Sequence, residues 1–261
     1  MRVQMEEWRR FIPGVRMYKG KKTLFYNGEK LFGQPFAYDY EERNSWEAIV
    51  ILPGVEVISA HTFHWCMGVK TVIMADSVRR IEDAAFYCCG SLEFVKLSRN
   101  LEYIGKNAFT SCKFTSIFVP PLCREIGHWA FQGCKKLIIF SVSENTELGH
   151  AVVDGTILAR ASPFPTDNDG RHQDEDNEQV NEWIKNRHAD NQFSLHRACA
   201  SHIPAEEVIY NIVKRQGIGT FRKEDNAGVS ASQYLSQNPF TDIKEEKIMK
   251  RYILDMMGEL V

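Results

Sequence analysis

The sequence has no apolar run approaching ~18 residues, the length a helix needs to cross a bilayer. It has no excess of one charge either: the formal net charge is −2, which argues against a nucleic-acid binder working by bulk electrostatics. There is no Walker string, no H-E-x-x-H, no G-x-S-x-G and no kinase signature. The pair Gly217 and Gly219 follows a helical pattern and reads as a cap, not a phosphate loop. The opening residues place Glu6, Glu7, Arg9 and Arg10 where a secretion signal needs an apolar core. Secretion by that route is therefore not expected, and a cytoplasmic or nuclear location is. Cysteine is odd in number, 7 in 261 residues, and four of the seven fall at one repeat position. That favours free buried thiols in a reducing compartment over a disulfide framework. The remaining composition, 44% apolar and 25% charged, is ordinary for a soluble chain of one or two domains.

What is present is a repeat. Four triples stand in register: Ile58/Phe63/Cys66, Ile81/Phe86/Cys89, Ile104/Phe109/Cys112 and Ile126/Phe131/Cys134, at steps of 23, 23 and 22 residues. Nine residues before each Ile lies a second pattern, Ile49-x-Ile51, Val72-x-Met74, Val95-x-Leu97 and Ile117-x-Val119, with Phe140-x-Val142 after the last. Alternation of this kind is the period of a strand with one buried face. A fixed period in the twenties marks a solenoid whose units stack on their neighbours. The single short step comes from one residue missing between Cys112 and Phe114. Phe63, Phe86, Phe109 and Phe131 are expected to form one stacked column.

The string Leu92-x-x-Val95-x-Leu97, then Leu101-x-x-Ile104-x-x-x-Ala108-Phe109-x-x-Cys112, resembles the BspA-like class of leucine-rich repeats. Pro53 and Pro120 follow two of the strands, as they often do in that family. The resemblance covers roughly residues 45–145, within a repeat domain expected over 45–163, and implies a parallel strand ladder and a role in adhesion, recognition or scaffolding.

Residues 1–44 are expected to be an N-terminal cap. In it, Thr23–Phe32 forms a hairpin on the Asn27-Gly28 turn, and a short helix carries Trp8 and Phe11. Residues 151–158 are expected to be a last irregular coil. Residues 164–179, with Asp167, Asp169, Asp174, Glu175 and Asp176, read as a mobile acidic linker, their spacing not fitting a calcium loop. Residues 180–261 are helical in pattern. There Leu195-His196-x-Ala198 and Gly228-Val229-Ser230 resemble degenerate ankyrin repeats, which implies a structural, turn-closing role for His196. The fold expected is thus α+β: a leucine-rich repeat solenoid with a hairpin cap and an all-α, ankyrin-like C-terminal domain.

No constellation for catalysis is apparent. Stacked cysteines fall in a line and cannot close a tetrahedron on zinc. His61, His64, His128 and His150 have no matching carboxylate pattern. No catalytic residue, cofactor or metal is expected, and no nucleic-acid or membrane partner. What is left is surface. Strand residues between the inward ones form two outward columns, Val50, Ile73, Lys96, Phe118, Ser141 and Ala48, Thr71, Phe94, Ser116, Ile139. Exposed apolar side chains there would mark a protein interface. The partner-binding residues expected are Val50, Ile73, Phe94, Lys96, Phe118 and Ile139, in a non-enzymatic interaction module. The alternative is a cell-surface adhesin or receptor-type recognition domain.

Overall fold

A computed structural model describes residues 14–29, 40–187, 193–201 and 206–258. The chain divides into two compact units, Met1–Asn181 and Glu182–Val261.

The first unit opens with an antiparallel hairpin of β1 (Gly14–Tyr18) and β2 (Lys21–Tyr26). Its turn is Lys19-Gly20, both residues holding positive φ, 48° and 76°, as a two-residue hairpin turn of this hand requires. The hairpin therefore lies upstream of the one expected on Asn27-Gly28. Gly28 has φ 89° but Asn27 is not left-handed; its side chain instead accepts the Glu29 N–H at 3.2 Å. The far arm of that expected hairpin, and the helix expected around Trp8, lie outside the described residues. β2 pairs in parallel with β3 (Ala48–Ile51) and so seals the first coil of the solenoid.

Each coil then repeats one plan. A first strand is followed by a short second strand and a tight turn. The first strands after β3 are β5 (Thr71–Met74), β7 (Phe94–Lys96), β9 (Ser116–Phe118) and β11 (Ile139–Ser141). The second strands are β4 (Val57–Ile58), β6 (Arg80–Ile81), β8 (Tyr103–Ile104), β10 (Glu125–Ile126) and β12 (Glu147–Leu148), pairing in parallel without interruption. The first ladder is not continuous. It runs β1-β2-β3-β5-β7 and restarts as β9-β11. The break falls at the residue missing between Cys112 and Phe114. There, Phe114 occupies the place that Leu92 and Leu137 hold in neighbouring coils, and its ring packs edge-on to Phe109 and Phe131, 6.1 Å from each.

The turn of each coil supplies a third ladder, made of backbone hydrogen bonds from alternate residues. The N–H groups of Ala84, Phe86 and Cys88 donate to the carbonyls of Lys106, Ala108 and Thr110, each at 2.8 Å. Equivalent bonds join every other pair of coils. Aligning them along the axis demands left-handed backbone at two places per coil. His61, Ala84, Asn107, Trp129 and Ala151 occupy one, and Trp65, Cys88, Ser111, Gly133 and Gly155 the other.

The core follows the expected pattern. Ile58, Ile81, Ile104 and Ile126 are fully buried, as are the four phenylalanines. Phe86 and Phe109 stack at 5.1 Å with a 1° interplanar angle, and Phe109 and Phe131 at 5.4 Å and 2°. Tyr26 closes one end of the column edge-on, and Phe140 the other. The thiols of Cys89, Cys112 and Cys134 donate to the carbonyls of Phe63, Phe86 and Phe109 in the preceding coils, at 3.1, 3.4 and 3.1 Å.

Residues 164–179, expected as a mobile acidic linker, instead take defined structure at the end of the solenoid. Thr166 and His172 pair as an antiparallel bridge. The Asp167 carboxylate accepts two backbone N–H groups of its own loop, from Asp169 and Arg171. Terminal backbone groups of the last coil find partners here. The Gly155 N–H meets the Gly170 carbonyl at 2.8 Å, and the Ala151 N–H meets the Asn177 side chain at 2.8 Å. The Asn181 amide donates to the carbonyls of Leu148 and Gly149. The polar composition read as disorder is the chemistry of a cap.

The second unit is helical: Ser194–Ala200, Glu206–Gln216, Ala231–Gln237 and Glu245–Gly258, with a 3-10 turn at Ile218–Arg222. His196 is buried, with Nε2 2.9 Å from the Lys223 carbonyl. Asp225 accepts N–H groups from Ala227 and Val229 and the hydroxyl of buried Tyr234, which in turn accepts from Arg187. Ser230 caps the next helix in a reciprocal bond pair with Gln233.

Candidate partner-binding surface

The strand register is the one the repeat implies. Val50 lies beside Ile73, and Ile73 beside Lys96. Ala48 lies beside Thr71, and Thr71 beside Phe94, while Phe118 pairs with Ser141 and Ser116 with Ile139. These residues were expected to project into solvent, and most do not. Val50, Lys96, Phe118 and Ile139 are buried, with exposures of 4%, 7%, 2% and 0%. For Val50 the cause is a second small core on the outer side of the ladder. Phe25 and Leu52 pack with it, and Tyr18 and Ile73 lie partly buried against it. The hairpin thus covers the start of the outward column as well as the end of the solenoid. Burial also lowers the Lys96 ammonium pKa, Arg99 adding to the effect and Asp76 opposing it. Of the six residues expected at an interface, Phe94 is exposed and Ile73 half-buried.

Val57, Trp65, Met67 and Leu122 are further exposed apolar residues of the solenoid. Trp65 is 51% exposed and Met67 41%. Trp65 holds the second left-handed position of its coil, and Met67 lies between it and the following strand, the stretch that in the next coil ends at Phe94. Trp65 is left-handed, with φ 59°, a conformation that is a genuine outlier for a bulky side chain. The equivalent residues Cys88, Ser111 and Gly133 are small. This contrast is the sequence signal for Trp65, and strand parity does not reveal it. His64 and Tyr87 rings lie 5.2 Å apart beside it, and His64 is 5.5 Å from the Trp65 ring. The same edge carries Lys70, Lys113 and Lys136 around Glu93. Lys113 binds Glu93 at 2.9 Å and holds its carboxyl below the usual range, with Lys136 and Lys70 adding to the effect.

The histidines make protein contacts. His128 Nδ1 accepts the His150 N–H at 2.8 Å, and His150 Nε2 lies 3.2 Å from Asp174. Among the described residues no group of three or more His, Cys, Asp or Glu could hold a metal ion. No helix among them is long and apolar enough to cross a membrane. Cys199, three residues from His196, is fully buried, and burial pushes its thiol up to about 12, far from the thiolate a nucleophile needs.

The family description "BspA type Leucine rich repeat region" matches residues 41–161 in six copies. Among solved structures, a leucine-rich repeat protein from Bacteroides ovatus is 26% identical, with 55% of this chain and 36% of that one covered, at a TM-score of 0.42. A leucine rich cell surface protein from Faecalibacterium prausnitzii is 26% identical, covering 52% and 33%, at 0.39. The Leucine Rich Repeat protein of T. pallidum is 20% identical, covering 57% and 68%, at 0.39. The chain spans about a third of the length of the first two. No curated protein matches it. With the unbroken second ladder and the stacked phenylalanines, the match identifies residues 41–161 as a leucine-rich repeat region of the BspA type.

Proposed function

We propose that the solenoid is a recognition module that binds another protein along the edge carrying Trp65, Met67 and Phe94. The observation that carries this reading is Trp65, a large aromatic half in solvent on a left-handed backbone. The turn ladder sets this backbone, the Trp65 N–H donating to the Tyr87 carbonyl at 2.8 Å, so it is the exposed ring held there that calls for a partner. Within the chain, an exposed indole gains little from its position. Against a partner it would bury its whole face, and Trp and Met are enriched at interface centres. Lys70, Lys113 and Lys136 flank the patch with Glu93 already paired, so the matching surface is acidic around an apolar centre. Phe94 and Ile73 carry over from the strand-face expectation.

The test is capture from native lysate with wild type, a Trp65→Ala/Phe94→Ala double variant, and Leu122→Ala, an exposed residue away from this edge, as control. The double variant should lose the proteins that wild type and control retain. Identical capture by all three overturns the assignment.

The helical unit is read as ankyrin-like, supported by the His196–Lys223 bond and the Asp225 turn ahead of the Ser230 cap. A reducing compartment, cytoplasm or nucleus, is read from thiols committed to carbonyl hydrogen bonds within the core. Titration of the unfolded chain purified without reductant should return all seven thiols.

A further inference from the structure

Three segments of the first unit converge at the end of the solenoid. Asp154 lies in the last coil, its carbonyl accepting the Gly133 N–H at 2.7 Å. Ser162 follows the short helix Ile157–Arg160, its N–H bonded to the Ala159 carbonyl. His172 closes the hairpin that begins at Thr166. Their side chains form one hydrogen-bonded line. His172 Nδ1 is 2.8 Å from Asp154 Oδ1, and Nε2 is 2.9 Å from Ser162 Oγ. The His172 and Asp154 side chains are nearly closed to water, at 4% and 8% exposure.

The protons in this line can be assigned. An ionised carboxylate only accepts, so it keeps the imidazole proton on Nδ1 and leaves Nε2 as an acceptor. The Ser162 hydroxyl lies closer to Nε2 than to the Phe164 carbonyl at 3.2 Å, so it donates to the ring. The Phe164 N–H approaches Oγ at 3.3 Å from the other side. The order is nucleophile, base and orienting carboxylate, which recurs on unrelated folds and is recognised by geometry, not chain order. Ser162 keeps part of its surface in solvent. Of the three, His172 borders an open cleft of about 590 Å³, further lined by Asp167, Arg171, Asp174 and Glu175, a size within the usual small-molecule range; Ser162 lies beside this cleft, behind the His172 ring, and not in its lining.

We propose that Ser162, His172 and Asp154 form an esterase-type site for a carboxylic ester carrying a cationic group. Ser162 Oγ attacks the ester carbonyl carbon while its proton passes to His172 Nε2. The carbon–oxygen bond to the alcohol then breaks, and the alcohol leaves with that proton. Water adds to the acyl-serine carbonyl and gives a proton to Nε2. The acid departs as the Ser162 oxygen takes that proton back. Asp154 is the positioning residue, holding the ring and its tautomer throughout. The cleft reached past His172 would hold the charged end of the substrate, and there Asp167, Asp174 and Glu175 outnumber Arg171. Backbone N–H groups from Arg171 and Asp169 hold the Asp167 carboxyl below its ordinary range, so it stays anionic.

The full chain is exposed to a fluorophosphonate probe, and the adduct is located by peptide mass spectrometry. Ser162 should carry the label, Ser162→Ala should carry none, and Asp154→Asn should label at least 100-fold more slowly with an unchanged melting curve. Acetylthiocholine should be cleaved at least 10-fold faster than uncharged ethyl thioacetate, and Ser162→Ala should abolish the difference. An unlabelled Ser162 in folded wild-type chain overturns the site and leaves the line as a fastening for the hairpin. So does labelling that Asp154→Asn does not slow. Should Asp154→Asn fail to fold, His172→Gln takes its place under the same criterion. Equal rates on the two thioesters overturn the cationic assignment.

Discussion

Replacing Phe86 by Ala should cost about 3–5 kcal/mol, the range for a buried ring whose cavity cannot close. The ring is fully buried and stacks at 5.1 Å on Phe63 and on Phe109. Roughly 1.5–3 kcal/mol is lost with the transfer of the ring itself. The rest is cavity, because collapse is blocked. The Phe63 N–H is bonded to the Ala85 carbonyl and the Phe86 N–H to that of Ala108, both at 2.8 Å, so the turn ladder holds the coils at their spacing. Phe86→Leu keeps most of the volume and loses two ring contacts, worth about 0.5–1.5 kcal/mol each. It should cost about 1–3 kcal/mol. Coils couple to nearest neighbours, so the loss falls on two interfaces at once. The assay is pulsed thiol labelling across a urea gradient. Cys66, Cys89 and Cys112 lie beneath the column at 0%, 0% and 3% exposure and react when their coils open. Their midpoints should fall in the order wild type, Leu, Ala. Coincident midpoints for wild type and Phe86→Ala would refute the column as a source of stability.

Two further outcomes follow from backbone and burial. Ser111→Gly should stabilise the solenoid by about 0.5–1 kcal/mol, since Ser111 is exposed with φ 60° and Gly133 already fills the same place one coil on. The left-handed cost of ~1–2 kcal/mol for a side chain there exceeds the ~0.5–1 kcal/mol entropy cost of glycine, and a lower urea midpoint would contradict this. Burial pushes the Cys123 thiol from 9.0 up to about 12. Between those values the unfolded chain loses a proton that the folded chain keeps, so stability falls as pH rises from about 9 toward 12. The gap between wild type and Cys123→Ala in urea should be full at pH 7 and narrow above pH 9, and a constant gap to pH 11 would exclude it.

The coil core was legible because each inward residue does one job in every unit. Ile58, Phe63 and Cys66 recur in kind, and their burial follows from the stack. The left-handed columns were not legible. His61, Ala84, Asn107 and Trp129 share no chemistry, only the need to aim an N–H along the axis. The hairpin was displaced because Asn27-Gly28 has the better turn composition, while Lys19-Gly20 has the strands on either side. Residues 164–179 look unstructured by composition, yet that test cannot see a neighbour's orphan N–H at Ala151 or Gly155 waiting for a partner. The parity of the strand face was correct and its exposure was not. Parity is local, whereas burial depends on what else packs there, as Phe25 does on Val50. Asp154, Ser162 and His172 escaped for the same reason, since nothing in their spacing foretells a shared line.

The residue absent between Cys112 and Phe114 leaves β7 and β9 unpaired with each other in the first ladder, while the second strands and the turn bonds continue across that step. A load drawn along the axis would therefore meet uneven resistance. The seam there would open first, releasing the front coils as one block and the rear coils with their terminal hairpin as another. A single deletion thus gives an otherwise uniform rod a preferred place to bend.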